Sequence, residues 1–267
     1  TGSIPAEIGN LTNLEVLEIG ENDFTGSIPA EIGNLTNLVI LDVGHNDLTG
    51  PIPPEIGNLS NLTQFNLTSN PGCGGNCSIP PEIGNLTNLT YLDLHSYNLT
   101  GPVPSSFENL INVETLWLSN NDLTGDIPSG IQNMANIRRL YIYNNEFTGV
   151  IPSWLYNLTE LVRLEFAGNY ITGTISPEIG NLINLRHFWA GSNQLTGSIP
   201  PEIGNLTQMD GWLSLYDNDL TGSIPPEIGN LTNLESLHLS GNNLSGEIPS
   251  EIGNMESLEA IWLDNNQ

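Results

Sequence analysis

Every permanently cationic side chain in this sequence, Arg138, Arg139, Arg163 and Arg186, falls between positions 138 and 186 of a 267-residue chain that contains no lysine. A guanidinium offers a planar fork of donors that fits a carboxylate or sulfate in two parallel hydrogen bonds. The surrounding stretch is also rich in rings: Trp117, Tyr141, Tyr143, Trp189, Trp212 and Tyr216, with His187 and Glu165 among them. Aromatic faces stack on sugar rings or apolar side chains, and Trp, Tyr and Arg are the residues enriched at binding hot spots. The candidate ligand-binding set is therefore Arg139, Arg163, His187, Trp117, Tyr141, Tyr143, Glu165, Trp189, Trp212 and Tyr216. The plainer reading is ordinary surface decoration, with each arginine stacked on a ring or paired with Glu165.

Other reactive side chains form no comparable constellation. His45, His95, His187 and His238 are widely scattered, and no His/Cys pair or carboxylate dyad with catalytic spacing results. Serine and aspartate are so common that a Ser–His–Asp set means nothing without geometry. Glu18, Glu21, Asp42 and Asp93 could suggest calcium, but no ligand spacing supports it, and a solvated acidic face is favoured. A column of threonines (Thr25, Thr49, Thr100, Thr124, Thr148, Thr172, Thr196, Thr221) could be an ice-binding hydroxyl ladder; a turn residue copied by duplication is the simpler reading. The sequence thus points to no enzyme, no cofactor and no metal.

A repeat positions these residues. Close copies of Pro225–Gly246, PPEIGNLTNLESLHLSGNNLSG, begin near 1, 25, 49, 76, 100, 124, 148, 172, 196, 221 and 245. The spacing is nearly always 24 residues, as from Thr100 to Thr124. A fixed period of this size means a solenoid of about eleven stacked units. Leu234–Leu244 fits the leucine-rich template L-x-x-L-x-L-x-x-N-x-L. Within it Leu237 and Leu239 alternate with Ser236, His238 and Ser240, the period of a half-buried strand. Arg139, Arg163 and His187 hold the third position of this template in three successive repeats, so their side chains should stack in one column on the outward face. Like charges so placed destabilise a sheet, and either Glu165 or a ligand should offset them. The fifth position reads Glu18, Asp42, Asn66, Asp93, Trp117, Tyr141, Glu165, Trp189, Ser214, His238, Trp262. The Asn of the template (Asn242 and its equivalents, broken only at Tyr97) is expected to bond the turn backbone of its own and the next coil.

After the Asn comes L-T-G-x-I-P, where Gly222 permits unusual backbone angles and Pro225 ends strand pairing. P-x-E-I-G-N-L then opens a short turn, with Glu227 near its positive end and Gly229 and Asn230 stopping it, of 3₁₀ type. This I-P-x-E-I-G-N-L…L-T-G pattern resembles the plant-type leucine-rich repeats of receptor-kinase ectodomains and polygalacturonase-inhibitor proteins, over all 267 residues. The resemblance implies an α/β solenoid: a right-handed leucine-rich repeat superhelix, with a parallel β-sheet on the concave face and short 3₁₀ or α turns on the convex one. Some plant peptide receptors hold a ligand's C-terminal carboxylate with concave arginine pairs, and Arg139 with Arg163 looks similar. Consensus residues build the coil, so a partner must be read by the others. Repeats five to eight are where the chain departs: Ser106, Gly130 and Trp154 replace the Glu found as Glu7, Glu31 and Glu55.

Composition narrows the partners. The formal net charge is −26, which repels nucleic acid and anionic membranes. No run is apolar for the ~18 residues that a membrane helix needs. Two cysteines, Cys73 and Cys77, stand in the glycine-rich insertion NPGCGGNC. A disulfide between them, in an oxidising compartment, is expected; free thiols or metal binding are the alternatives. N-x-S/T sequons at Asn10, Asn34, Asn66, Asn157 and Asn230 fit a glycoprotein, although N-L-T is itself the repeat consensus. The chain starts inside a repeat at Thr1 and ends on a strand at Asn266–Gln267 without polar caps, so it is expected to be part of something longer. The resulting expectation is a non-enzymatic extracellular or cell-surface recognition module, such as a receptor ectodomain. It would bind a peptide, protein or glycan through the Arg/aromatic patch of repeats five to nine. A structural or assembly protein, such as a surface filament, adhesin scaffold or ice-binding solenoid associating end to end, is the alternative.

Overall fold

The computed structural model describes residues 1–72, 74–75 and 77–267. Cys73 lies outside the described residues, and the expected Cys73–Cys77 pairing with it. The chain forms two compact units, Thr1–Ile137 with Asn144–Glu146, and Arg138–Tyr143 with Phe147–Gln267.

Each unit is a stack of leucine-rich coils. In the first, the strands Val16–Glu18, Ile40–Asp42, Gln64–Asn66, Tyr91–Asp93 and Thr115–Trp117 pair in parallel and in chain order. In the second, Arg139–Tyr141, Arg163–Glu165, His187–Trp189, Trp212–Ser214, Ser236–His238 and Ala260–Trp262 do the same. The central residue of each strand points inward. Leu41, Phe65, Leu92 and Leu116 in one unit, and Leu140, Leu164, Leu213 and Leu237 in the other, are completely buried. Burying such a side chain contributes about 1.5–3 kcal/mol, and the sum runs coil by coil because each coil touches only its neighbours.

The Asn column closes the turns. Asn121 is typical: its Nδ2 donates to Leu118 O of its own coil at 2.9 Å and to Leu94 O of the coil before at 3.0 Å. Its Oδ1 accepts from Leu99 N of that earlier coil at 2.9 Å. The ladder therefore runs to the preceding coil rather than the following one. Tyr97, which replaces one Asn, is fully buried and donates its hydroxyl to Gly50 O at 3.0 Å; burial pushes its phenol up to about 12.

Two local expectations change. The Thr–Gly segments are paired strands: Thr172–Thr174, Gln194–Gly197, Asp219–Gly222 and Asn243–Leu244 make a second parallel sheet in their unit. Gly173 and Gly222, at φ of 81° and 78°, let the strand bend there without breaking the ladder. The threonines help knit it, Thr172 Oγ1 donating to Gly149 O at 2.8 Å and Thr196 Oγ1 to Gly173 O at 3.2 Å. The P-E-I-G-N turns are 3₁₀ as expected, but their glycine serves close approach more than termination. A Cβ on Gly57 would lie 2.6 Å from Glu82 O of the next coil.

Candidate ligand-binding surface

The strand register stacks the cationic column as the spacing predicts. Arg139 is opposite Arg163, and Arg163 is opposite His187, all within the second unit. Parallel neighbours lie about 4.8 Å apart, so three full charges would repel strongly. The column is softened in three ways. Arg163 Nη1 lies 3.8 Å from Glu165 Oε1. The Arg163 side chain hydrogen-bonds Tyr141. His187 is held below its ordinary 6.5, first by burial and then by Arg163 and Arg186, with Asp210 opposing, so it is a neutral ring at pH 7. Burial pushes Glu165 up while Arg163 pulls it down, and burial likewise raises Tyr141, which is only 7 % exposed. Arg186 sits apart in an ion pair with Asp210, Nη1 to Oδ2 at 2.9 Å. What remains outward is a pair of guanidiniums, with Arg139 exposed.

Beside that pair the rings continue. Tyr143 packs on Trp189 with centroids 5.2 Å apart, Tyr216 stacks on His238 at 4.6 Å, and His238 tilts against Trp262 at 5.0 Å. Trp189, Trp212, Tyr216, His238 and Trp262 line a groove of ≈ 330 Å³, with Trp212 54 % and Trp262 44 % exposed. Indoles at that exposure on a sheet surface make this patch a candidate for interaction. Two glycines admit rings on this face. The Tyr216 ring lies over Gly191 and the His187 ring over Gly211, each so close that a methyl group would overlap it. Gly211 belongs to the one-residue insertion that stretches the period from Thr196 to Thr221 to 25.

Sequence reading thus brought together Arg139, Arg163, His187, Tyr141, Glu165, Tyr143, Trp189, Trp212 and Tyr216 on one sheet. Trp117 belongs to the first unit, where it stacks on His95 with centroids 4.5 Å apart. His238 and Trp262 were outside the candidate set, yet they complete the groove. The fifth-position column already carried both, and only the restriction to repeats five to nine hid them.

The first unit holds one set that the sequence could not assemble. Asp93 Oδ1 lies 2.8 Å from His95 Nδ1, and Thr68 Oγ1 lies 2.7 Å from both ring nitrogens. Tyr91 also donates to Asp93 Oδ2, at 3.0 Å. This is not a nucleophilic relay. Thr68 is 4 % exposed, and its hydroxyl favours neither nitrogen, whereas a working triad needs a reachable oxygen on the imidazole's proton-accepting edge. No cluster of three or more His, Cys, Asp or Glu suited to a metal occurs among the described residues, and no helix among them is long and apolar enough to cross a membrane.

Residues 1–165 match the model of a leucine-rich repeat region. Models of shorter leucine-rich repeats match 212–251, and 160–182 with 184–206. No curated protein matches the chain. Among solved structures it is similar to a TDR receptor, with 32 % identity and a TM-score of 0.93, over all of this chain and 45 % of that one. It is also similar to the Arabidopsis receptor kinase HAESA, solved with the peptide hormone IDA and the co-receptor SERK1, at 34 % identity and TM-score 0.90, over all of this chain and 48 % of that one. A plant ice-binding protein is similar at 26 % identity and TM-score 0.68, over all of this chain and 80 % of that one. The chain spans less than half the length of the two receptors.

Proposed function

This chain belongs to the leucine-rich repeat family, and we propose that it is a non-enzymatic extracellular recognition module that binds a peptide or protein segment along the solvent face of its second unit. The observation that carries this reading is the Arg139–Arg163 register pair, two guanidiniums on adjacent strands in a chain of net charge −26. Such a pair is costly to keep and well suited to a carboxylate. With the peptide-hormone complex of HAESA as the similar case, the carboxylate would be the free C-terminus of an extended ligand. Tyr143 and Trp189 would flank it, and His187 would offer a neutral hydrogen-bonding edge. A glycan remains a candidate occupant for the aromatic part alone. A filament or ice-binding solenoid would leave both the cation pair and the groove without a role.

The test is binding of short peptides with a free carboxylate against their C-terminal amides. Changing Arg139 and Arg163 together to Ala should abolish the preference for the free acid and leave the melting temperature nearly unchanged. A collapse in stability instead would make the two arginines structural.

A further inference from the structure

The groove beyond the arginine pair has a chemistry of its own. Its walls are the indoles of Trp189, Trp212 and Trp262 and the phenol of Tyr216. Among its polar groups, Ser214 is 5 % exposed and His238 Nε2 is 2.6 Å from Ser240 Oγ. No carboxylate or amide side chain lines it to fix the hydroxyls of a sugar. A carboxylate finds no cation here, because Arg186 is engaged with Asp210 and the other arginines stand on earlier strands. Two acidic groups act on a residue of the groove wall: the carboxylates of Asp217 and Asp264 both favour a positive charge on the His238 imidazole. Burial nevertheless keeps that imidazole below its ordinary 6.5, so it brings no competing charge at pH 7.

We propose that this groove takes a cationic side chain of the partner, an arginine above all, laid against the Trp212 and Trp262 indoles and within the field of Asp217 and Asp264. Ring faces attract cations, a planar guanidinium stacks on them while keeping its edge donors for carboxylates, and the acidic surround of the chain raises the local concentration of cations. The proposal deepens the reading above, resting on it only in taking this sheet face as a recognition surface. Where the carboxylate reading also holds, the ligand is bipolar, with an acidic terminus at Arg139 and Arg163 and a basic residue upstream. Three strand spacings of about 4.8 Å separate the middle of the arginine pair from the middle of the groove, which an extended chain at ~3.3 Å per residue crosses in about four residues.

The experiment titrates Nα-acetylated arginine amide into the 267-residue chain and follows tryptophan fluorescence, with Nα-acetylated citrulline amide (isosteric, its side chain uncharged) and methyl β-glucoside as comparators. Arginine amide should bind at millimolar concentration and citrulline amide about tenfold more weakly. Trp212→Ala, at an exposed position, and Asp217→Asn, isosteric, should each weaken arginine amide several-fold without moving the melting temperature. Arg139→Ala with Arg163→Ala should leave it unchanged, so failure here and failure of the carboxylate reading are told apart. Equal binding of citrulline amide, or tighter binding of the glucoside, would overturn the proposal in favour of a neutral or sugar-binding platform.

Discussion

The His187 imidazole lies directly over the α-carbon of Gly211, a residue of the one-residue insertion in the ninth repeat, with no room between them for a methyl group. The contact buries the ring and, with Arg163, keeps it uncharged. Gly211→Ala should therefore eject the imidazole, at a cost of ~1–3 kcal/mol for the overpacked site. It should also let His187 titrate nearer its ordinary value. Urea denaturation reads the first effect and the histidine NMR titration the second. An unchanged His187 titration would show that the ring is held by something else.

The buried Asn ladder should be costly to break, and the exposed asparagines that precede the strands cheap. Asn121→Ala strands the Leu99 and Tyr97 amides and the Leu94 carbonyl in a buried turn, and each orphan costs ~1–3 kcal/mol. A loss of at least about 3 kcal/mol is expected. Asn61, whose amide donates to Thr36 O at an exposed site, 2.9 Å away, should lose less than ~1 kcal/mol on the same change. Equal losses in denaturant titrations would contradict this account.

Protonation should act on stability with opposite signs at two sites. Burial holds Glu165 above its ordinary 4.5, so the folded chain keeps a proton that the unfolded chain has released. Its contribution is complete below about pH 4.5 and is lost as pH rises through the folded value. His187 and His238 are held below 6.5, so their contribution is complete above about pH 6.5 and is lost as pH falls beneath it. The melting temperature of Glu165→Gln minus that of the parent should accordingly climb as pH rises from 4.5. A flat difference between pH 4.5 and 7 would reject it.

Opposed guanidiniums should also be a cost to the fold. Arg139→Glu places an acid opposite Arg163 and should stabilise the sheet by up to ~1 kcal/mol. The same change should erase any preference for a free carboxylate. Gain of stability with loss of binding is the pattern that separates a functional cation from a structural one, and thermal denaturation beside peptide titration shows which holds.

The coil, the aliphatic columns and the Arg139–Arg163–His187 register were legible because they follow from a strict period and a side-chain alternation of two. The second sheet was not, because a Thr–Gly pair reads as a turn until its backbone is seen pairing with the next coil. Gly229 was read as a stop, when a Cβ there would collide with Glu251 O on the next coil. The groove was half legible: Trp189, Trp212 and Tyr216 were named, while His238 and Trp262 sat unremarked in the same column. Charge state was the least accessible quantity. That His187 is held below its ordinary 6.5 follows first from burial, and its ring packs over Gly211, a contact no spacing rule carries.

Because each Asn reaches back to finish the coil before it, the coils outside the Tyr97 break share the same unfinished edge and hand on the same kind of donor. Asn46 does this for Phe24 as Asn266 does for Leu244, at 2.9 and 3.0 Å. A coil is thus a cassette: copying or excising one whole period joins like edges and asks nothing new of the neighbours. Reach along a ligand can be lengthened or shortened by duplication alone, while recognition changes by substitution at the outward strand positions.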